Sequence, residues 1–370
     1  MRTLVIPIEL YQEMRLYSKG MTGLTKIAIT ARKIIRYTIF FIIFLTVGKV
    51  VLDLSIKTYR KAFPSPPPPP TVKFGKLTKI PLPEASISAQ LTYVLETPEG
   101  GFPTNIPTQV KVFFMPRANP NLLSLDVAKE KVRALAFTSD PIQQSDTLYK
   151  FTNPDFPSAI EINIITGSFS ISYDLSIDKT PLDQKPPVPE VAASEFRGQL
   201  SNANVLPDDL TGTTTHNFFK LTNNGLTPAV SLSESDVVKV NLFRKNYDNL
   251  PSLTAKPDEA NIWAIIGGSS NREQRIIAAE YHYHPVDETQ FSTYPIKTPE
   301  EAFGELESGG AYIADLGINN DGDTLKIRRI YLAYFDPDEV SDFFQPIYVF
   351  EGDNGFVGYI PAVIADYYGE

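Results

Sequence analysis

An apolar run near the N-terminus constrains this chain more than any other feature. Residues Tyr37 to Ile56 read YTIFFIIFLTVGKVVLDLSI, and the stretch from Tyr37 to Val47 carries no charge. A helix needs about 20 mostly apolar residues to cross the hydrocarbon core of a bilayer, and this run has that length. The alternative is a long buried helix of a soluble protein. We predict a single transmembrane helix at 37–56, which makes the lipid bilayer the first partner of the chain.

The sequence after this run favours an anchor over a core helix. Lys57, Arg60 and Lys61 follow directly, and five consecutive prolines occupy 66–70. Such a run adopts the stiff polyproline II helix, which rises ~3.1 Å per residue. We therefore predict a basic and proline-rich spacer over 57–83 that carries a globular part. A docking site for a partner with an aromatic groove is the alternative reading of the prolines.

Basic residues before the run bear on its orientation. The segment 1–36 contains Arg15, Lys19, Lys26, Arg32, Lys33 and Arg36. Positive residues favour the cytoplasmic side, although those at 57–61 count in the opposite sense. No small-residue cleavage site follows the apolar core, so a cleaved signal peptide is not expected. We predict a cytoplasmic basic segment at 1–36, with the globular part outside the cytoplasmic (inner) membrane.

Charge is divided unevenly along the chain. Residues 1–62 contain 11 Lys and Arg against 3 Asp and Glu, a net charge of +8, whereas residues 63–370 contain 23 against 40, a net charge of −17. Affinity for nucleic acid comes largely from cations that neutralise phosphates, so we expect no nucleic-acid partner. The chain has no cysteine, which excludes disulfides, cysteine metal sites and thiol catalysis.

The rest of the sequence predicts an α+β protein. Residues 84–180 read as strands around one helix at 121–137, where apolar residues recur at helical spacing. A proline-rich joint occupies 181–189. Residues 190–370 repeat the order, with a helix at 190–202 followed by strands of alternating polarity. The recurrence suggests a diverged internal duplication, giving two modules that each pack a helix on an antiparallel sheet.

Two local patterns in the second module are especially clear. The segment 297–308 has Thr298 at the N-cap, Pro299 at the first helical position and Glu301 at the third, which is a capping box at the start of a helix. The tripeptide DNG at 353–355 lies between two apolar segments. Because an Asn-Gly pair such as the one at 354–355 favours tight hairpin turns, we predict that the flanking segments pair as antiparallel strands.

The predicted strand at 346–351 is apolar on both sides. Successive side chains of a strand point to opposite faces. Tyr348 and Phe350 therefore share one face, and Ile347 and Val349 share the other. Such a strand is either central in its sheet and covered on both faces, or covered on one face and recognised by a partner on the other.

The last 75 residues carry a resemblance to a known family. A helix that begins with EEA at 300–302 is followed by LAY at 332–334 and PIYVF at 346–350. This order resembles the C-terminal module of the YycH/YycI type of membrane-anchored regulatory proteins and, more loosely, PepSY-type domains. The resemblance covers about a fifth of the chain. It implies a cystatin-like fold and a regulatory, protein-binding role, and it implies no catalytic residue.

Two clusters have side chains of the kind that bind metals. Glu280, His282 and His284 alternate along a predicted strand and so share a face, where imidazole and carboxylate groups are metal ligands; the alternative is an exposed polar face. Asn319 to Asp323, with Asn319, Asp321 and Asp323, is rich in oxygen ligands but lacks EF-hand spacing, and a hairpin turn is the alternative.

Other chemical signatures are missing from the sequence. No G-x-S-x-G motif occurs, and the glycines at 267–268 join two strands instead of opening a helix, which is not the context of a phosphate loop. We therefore predict no catalytic residue, no cofactor and no bound metal, and we expect that the chain is not an enzyme.

Four aromatic residues near the C-terminus lie outside the strand alternation: Phe343, Phe344, Tyr367 and Tyr368. Aromatic residues are enriched at the centres of protein interfaces, so we predict that these four form an interaction surface. The alternative is a cap over the end of the sheet.

Taken together, these patterns indicate a single-pass, membrane-anchored, extracytoplasmic protein-interaction or regulatory module with a membrane or envelope protein as its partner. The alternative is a structural or assembly subunit of an envelope complex of the secretion, division or pilus type. An envelope hydrolase or a metal-binding protein is the least favoured class.

Overall fold

A computed structural model describes residues 23–62, 68–83, 91–223 and 225–369 of the chain. The chain divides into two compact units, residues 1–69 and residues 70–370. Each unit is described by itself below. The part of the predicted cytoplasmic segment that precedes residue 23 lies outside the described residues.

The first unit contains one long helix, α1 (Gly23–Ala62), of 40 residues. Its stretch Ile27–Tyr59 is long and apolar enough to cross a membrane and has no buried residues. The predicted span at 37–56 lies within this helix, which also includes residues 23–36 before the span and 57–62 after it. At ~1.5 Å per residue, α1 is longer than the ~30 Å hydrocarbon core requires.

Three threonines of α1 donate hydrogen bonds from their hydroxyl groups to backbone carbonyl oxygens of the preceding turn. Thr38 donates to Ile34 O at 2.9 Å, and Thr46 donates to Ile43 O at 2.9 Å. Thr58 makes the equivalent bond to the preceding turn. Because a polar group without a hydrogen bond is costly in hydrocarbon, these bonds suit the helix to an apolar surrounding.

The described part of the second unit contains three α-helices and eighteen strands. The helices are α2 (Ser124–Ala134), α3 (Pro189–Asn202) and α4 (Pro299–Glu307). The strands are β1 (Thr92–Leu95), β2 (Gln109–Phe114), β3 (Ile142–Gln143), β4 (Leu148–Thr152), β5 (Ser158–Asn163), β6 (Phe169–Tyr173), β7 (Thr214–Thr222), β8 (Gly225–Ala229), β9 (Val237–Leu242), β10 (Ser252–Leu253), β11 (Ile262–Ile266), β12 (Ile276–Tyr281), β13 (Asp287–Pro295), β14 (Tyr312–Asp315), β15 (Thr324–Phe335), β16 (Phe343–Phe344), β17 (Pro346–Gly352) and β18 (Val357–Pro361).

Nine strands form one antiparallel sheet in the order β3-β4-β5-β6-β12-β11-β9-β7-β8. One face packs against α2 and α3, where Val132 and Phe196 meet sheet residues such as Ile160 and Val240 in a shared core. Strand β5 shows the corresponding alternation, since every second residue is buried and the others are partly exposed. The described α-helices therefore lie on one face of this sheet, and the opposite face has a smaller buried cluster in which Ile265 and Ile277 pack with Leu182.

Six strands form a second sheet in the order β1-β15-β17-β18-β14, with β10 also paired to β15. Helix α4 lies on one face, where Leu306 packs in the same core as Tyr348 and Phe350. On the other face, Ile347 and Val349 share a separate core with further apolar residues. The predicted alternation of this strand is confirmed, and β17 is central and covered on both sides.

The third sheet has the order β13-β2-β16, and residues 71–80, named here the lead-in segment, lie against it. Val72 N donates to Thr293 O at 3.1 Å, and Leu77 N donates to Tyr367 O at 2.8 Å. Leu77 is fully buried and Ile80 nearly so. The prediction of a spacer over 57–83 is therefore wrong for this segment, because its apolar residues recur often enough to pack into the globular unit.

Strand pairing crosses the module boundaries expected from the sequence. Strand β1 pairs in parallel with β15, β2 pairs with β13 and β16, and β6 pairs with β12. The α+β class is confirmed, but the described residues of 84–180 and 190–370 share their sheets instead of forming separate ones, and these residues show no duplication. Local alternation predicts strands without naming their neighbours, which is why the pairing was missed.

Two local predictions agree with the structure. Thr298 Oγ1 accepts a hydrogen bond from Glu301 N at 3.2 Å, and a Glu301 carboxylate oxygen accepts one from Thr298 N at 2.7 Å, which completes the capping box of α4. The turn at 353–355 joins the antiparallel strands β17 and β18. Asn354 has a φ of 61° there, a conformation that asparagine tolerates better than most residues.

Candidate functional site

Glu280, His282 and His284 lie on the face of the nine-stranded sheet opposite the helices. They line a groove of about 490 Å³ together with Glu161 and Asp338. His282 Nε2 is 3.0 Å from a Glu280 carboxylate oxygen, and His284 Nε2 is 3.1 Å from Asp338 O. Burial lowers the pKa of His284. The three residues share a groove, but only Glu280 and His282 pair with each other, whereas His284 turns to Asp338.

No group of three or more His, Asp or Glu residues in the described part of the chain is arranged to hold a metal ion. In the loop at 319–323, Asn319 Nδ2 donates to Leu316 O at 2.8 Å, and Asn319 Oδ1 accepts from Asn354 Nδ2 at 2.9 Å. A carboxylate oxygen of Asp323 accepts from Asn320 N at 2.7 Å. Asn319 therefore braces the loop against the 353–355 turn, and Asp323 bonds within the loop.

The predicted aromatic interaction surface is not present as such. Phe344 has no exposed area and stacks on Tyr334 with ring centroids 5.1 Å apart and planes 8° apart. The prediction is wrong for this residue because β16 pairs with β2, and strand alternation then turns Phe344 into the core. Phe343 is half-buried, with its ring 5.1 Å from that of Phe74.

Tyr367 and Tyr368 are half-buried against the lead-in segment. Tyr368 Oη accepts a hydrogen bond from Ile80 N at 3.1 Å, and Gly369 N donates to Leu77 O at 3.0 Å. These contacts place the two tyrosines where the chain enters the globular unit. They hold part of this chain, so their aromatic surface is largely occupied.

A buried ionic cluster, which the sequence analysis missed, joins the two large sheets. Arg244 is 4% exposed; its Nε lies 3.0 Å from an Asp336 oxygen and its Nη1 lies 3.0 Å from an Asp209 oxygen. Arg244 Nη2 donates to His284 O at 2.5 Å, and Tyr247 Oη donates to Asp209 at 2.5 Å. One cation thus faces two carboxylates in a buried site.

The pKa shifts of this cluster follow from its burial and its charges. Burial raises the pKa of Asp336 to about 6, although Arg244 opposes the shift. Burial alone would lower the pKa of Arg244, but Asp336 and Asp209 raise it overall. The Arg244 guanidinium also lies 4.3 Å from the centre of the Tyr283 ring, which adds a cation–π contact. Every charged group points at another group of the chain, so the arrangement serves to join the sheets.

A second cavity, named here the α2/α3 cleft, lies between the C-terminal end of α2 and helix α3. Its volume is about 440 Å³. Phe137, Ile171 and Ile276 form an apolar floor, and α3 supplies one wall through Gly198 and its neighbours. The cleft depends on the pairing of β6 with β12, in which Ile171 lies opposite Ala279, because this pairing makes the strands of Ile171 and Ile276 neighbours and both residues line the cleft. No local sequence pattern gives this pairing.

Comparisons with known proteins leave the family open. No protein-family model matches the chain, and no curated protein matches it. Among solved structures, the chain is similar to an uncharacterized protein from Eubacterium rectale ATCC 33656, with 13% sequence identity over 76% of this chain and 90% of that chain, and a TM-score of 0.37. The resemblance to YycH/YycI-type proteins stays a prediction.

Proposed function

We propose that the chain is a single-pass membrane protein whose globular unit binds another membrane or envelope protein on the outer side of the cytoplasmic membrane, without catalysis. One observation carries the proposal. The stretch Ile27–Tyr59 of α1 is apolar, long enough to span a bilayer and unburied by its own chain, and a separate compact unit follows it. An anchor joined to a folded unit is the layout of a protein that presents a binding surface near a membrane.

The polar chemistry of the globular unit supports binding over catalysis. Arg244, Asp209 and Asp336 are enclosed by their own partners, so a substrate would have to break the junction of the sheets to reach them. Glu280 and His282 pair with each other at 3.0 Å on an open polar face. A catalytic pair also needs a third group that orients it and a place that excludes water.

A structural or assembly subunit of an envelope complex is the second candidate, and the lead-in segment favours it. Leu77 is bonded through its N–H to Tyr367 O and through its O to Gly369 N. The side-chain amide of Gln345 also donates to Thr78 O at 2.9 Å. A chain fastened in this way just before the fold suits a protein that bears load between a membrane and an assembly.

Protease protection of the full-length chain tests the topology. With different tags at the two ends, protease added outside right-side-out vesicles should remove the C-terminal tag and spare the N-terminal one, and alkaline carbonate should leave the chain in the membrane fraction. Loss of the N-terminal tag with a protected C-terminal tag would reverse the proposed orientation. Release by carbonate would contradict the anchor itself.

Chemical cross-linking in intact cells separates the two candidates. A binding or regulatory module should cross-link to a partner in a pair that dissociates reversibly after solubilisation. A structural subunit should remain in a large assembly of fixed stoichiometry. Recovery of the chain only as an uncross-linked monomer would contradict both.

A further inference from the structure

We propose that the α2/α3 cleft binds an uncharged, extended peptide segment of the partner, which inserts one large apolar side chain against the floor of the cleft. This inference rests on the proposed function, because it names the surface through which the globular unit binds. The volume of the α2/α3 cleft, about 440 Å³, lies in the range of pockets that bind small ligands.

The floor of the cleft calls for an apolar group. Phe137 is 4% exposed, and Ile171 and Ile276 are 6% and 8% exposed, so these side chains offer the cleft a thin apolar surface on a well-packed core. Phe156, half-buried, also borders the cleft. An inserted aromatic or leucine side chain would remove this remaining apolar surface from water, which is the main favourable term in such binding.

The wall of the cleft calls for a ligand with both hydrogen-bond donors and acceptors. Gln199 and Asn202 are three residues apart on α3 and line the cleft, so they lie on the same side of the helix. In the part of the chain that the structure describes, no hydrogen bond is formed by either side-chain amide. Each amide offers donors and an acceptor, which matches the N–H and C=O groups of an extended peptide backbone.

The charges at the cleft argue against an ionic ligand. Glu195 Oε1 and Oε2 lie 2.8 Å and 3.0 Å from Arg275 Nη1, and Arg272 Nε lies 3.5 Å from Glu195. The lining of the cleft itself contains two carboxylates, those of Glu195 and Glu273, and one guanidinium group, that of Arg272. A fatty acid or a phosphate group would have to compete with Glu195 for both arginines, whereas a neutral peptide segment leaves these pairs intact.

Gly198 provides a way to close the cleft without disturbing the fold. A Cβ atom added at Gly198 meets no other atom within 4 Å, and leucine has a higher helix propensity than glycine. Gly198→Leu should therefore fill the cleft while α3 stays intact. Gly304 in α4 is a matched control, because a Cβ there also meets nothing within 4 Å and this residue does not line the cleft.

The test uses the full-length chain in phosphatidylcholine nanodiscs and a phage-displayed library of random dodecapeptides. Selected peptides are synthesised, and their affinities are measured by fluorescence polarisation. We expect uncharged sequences with one aromatic or leucine anchor. Gly198→Leu should weaken their binding about tenfold or more, and Gly304→Leu should leave it within about twofold. The double variant Gln199→Ala, Asn202→Ala should weaken binding by about fivefold or more, since it removes the amides that contact the backbone.

Several outcomes would overturn the inference. One is that no peptide is enriched over empty nanodiscs. Another is that peptides bind all variants equally, which would place the binding surface elsewhere and leave the proposed function standing. A third is that a fluorescent neutral lipid in phosphatidylcholine vesicles, and no peptide, binds in a manner that Gly198→Leu abolishes. Failure of the topology experiment would instead contradict the proposed function itself, whatever the cleft binds.

Discussion

The two large sheets of the globular unit differ in how completely their second faces are covered. The six-stranded sheet has Tyr348 and Phe350 in one core and Ile347 and Val349 in another. The nine-stranded sheet has helices on one face, and its other face has only a small buried apolar cluster around Ile265 beside polar residues such as Glu280. The six-stranded sheet, which is rich in aromatic residues, is therefore the less accessible one. The groove at Glu280 and the α2/α3 cleft both border the nine-stranded sheet, in which buried and exposed residues alternate along strands such as β5.

This difference shows where an interaction surface can be sought. The many aromatic residues near the C-terminus belong to the core, because side chains on both faces of β17 are buried. An alternating strand such as β5 leaves every second residue outside the core, where partners can reach it. The α2/α3 cleft also borders the nine-stranded sheet, at the edge of its helical layer.

The largest effect should follow removal of the lead-in segment, which packs Leu77 on the three-stranded sheet and Ile80 on the six-stranded sheet. A fragment of residues 84–370 lacks Leu77 and Ile80, which are 0% and 6% exposed. Loss of such a buried side chain typically costs ~2–5 kcal/mol, so the two together approach the ~5–15 kcal/mol that stabilises a whole domain. We expect this fragment to be unfolded or to melt far below a fragment of residues 71–370.

Hydrogen exchange would locate the damage in any folded fraction of the shorter fragment. Amides of β17 and β18 should lose protection before those of β5 and β12, because Ile80 packs on the second face of the six-stranded sheet. Equal melting temperatures for the two fragments would show that the lead-in segment is a simple spacer, and the asymmetry between the sheets would then lose its basis.

An intermediate loss of stability is expected when Phe344 is replaced, and comparing it with a substitution on the open face of the nine-stranded sheet separates core residues from surface residues. Phe344→Ala should lower the free energy of unfolding by ~3–5 kcal/mol, as should Phe350→Ala, because both rings are fully buried. His282→Ala, on the open face of the nine-stranded sheet, should change it by less than about 0.5 kcal/mol. Urea unfolding monitored by circular dichroism provides the comparison. If Phe344→Ala resembled His282→Ala, Phe344 would regain its role as a surface residue.

Features set by neighbouring residues could be predicted from the sequence. The capping box of α4 needs only Thr298 and Glu301, three positions apart. The 353–355 turn needs only its own residues, and the two faces of β17 follow from alternation over a few positions. The apolar stretch of α1 is likewise defined by composition alone.

Features that depend on residues far apart in the chain could not be predicted from the sequence. Strand β1 meets β15 more than 200 positions away, and Leu77 meets Tyr367 across nearly the whole unit. The α2/α3 cleft requires the pairing of β6 with β12. Arg244 and Asp336 each follow an apolar strand, which is a signal for a buried charge, but their meeting depends on how two sheets pack. The sequence-based search for sites therefore found polar residues on one strand and missed those brought together by packing.

The smallest of the three effects tests the junction between the sheets, where one arginine faces two carboxylates. Burial raises the pKa of Asp336 from 3.8 to about 6, so the folded chain binds a proton between these values that the unfolded chain has released. The stabilisation from this carboxyl is fully present below about pH 4 and is lost as the pH rises through about 6. A difference of one pKa unit corresponds to ~1.4 kcal/mol, which gives a change on the order of 1–3 kcal/mol.

Asp336→Asn removes this titration and makes the prediction measurable as a difference. Relative to the unchanged protein, the variant should become more stable as the pH is raised from about 4 to about 6, whatever it loses at every pH from its altered contact with Arg244. His284 has a lowered pKa through burial and titrates in both proteins, so its contribution largely cancels. Urea unfolding at several pH values across this window gives the difference. A difference that does not change with pH would mean that Asp336 stays ionised beside Arg244 throughout, and the two sheets would then be joined by a permanent ion pair.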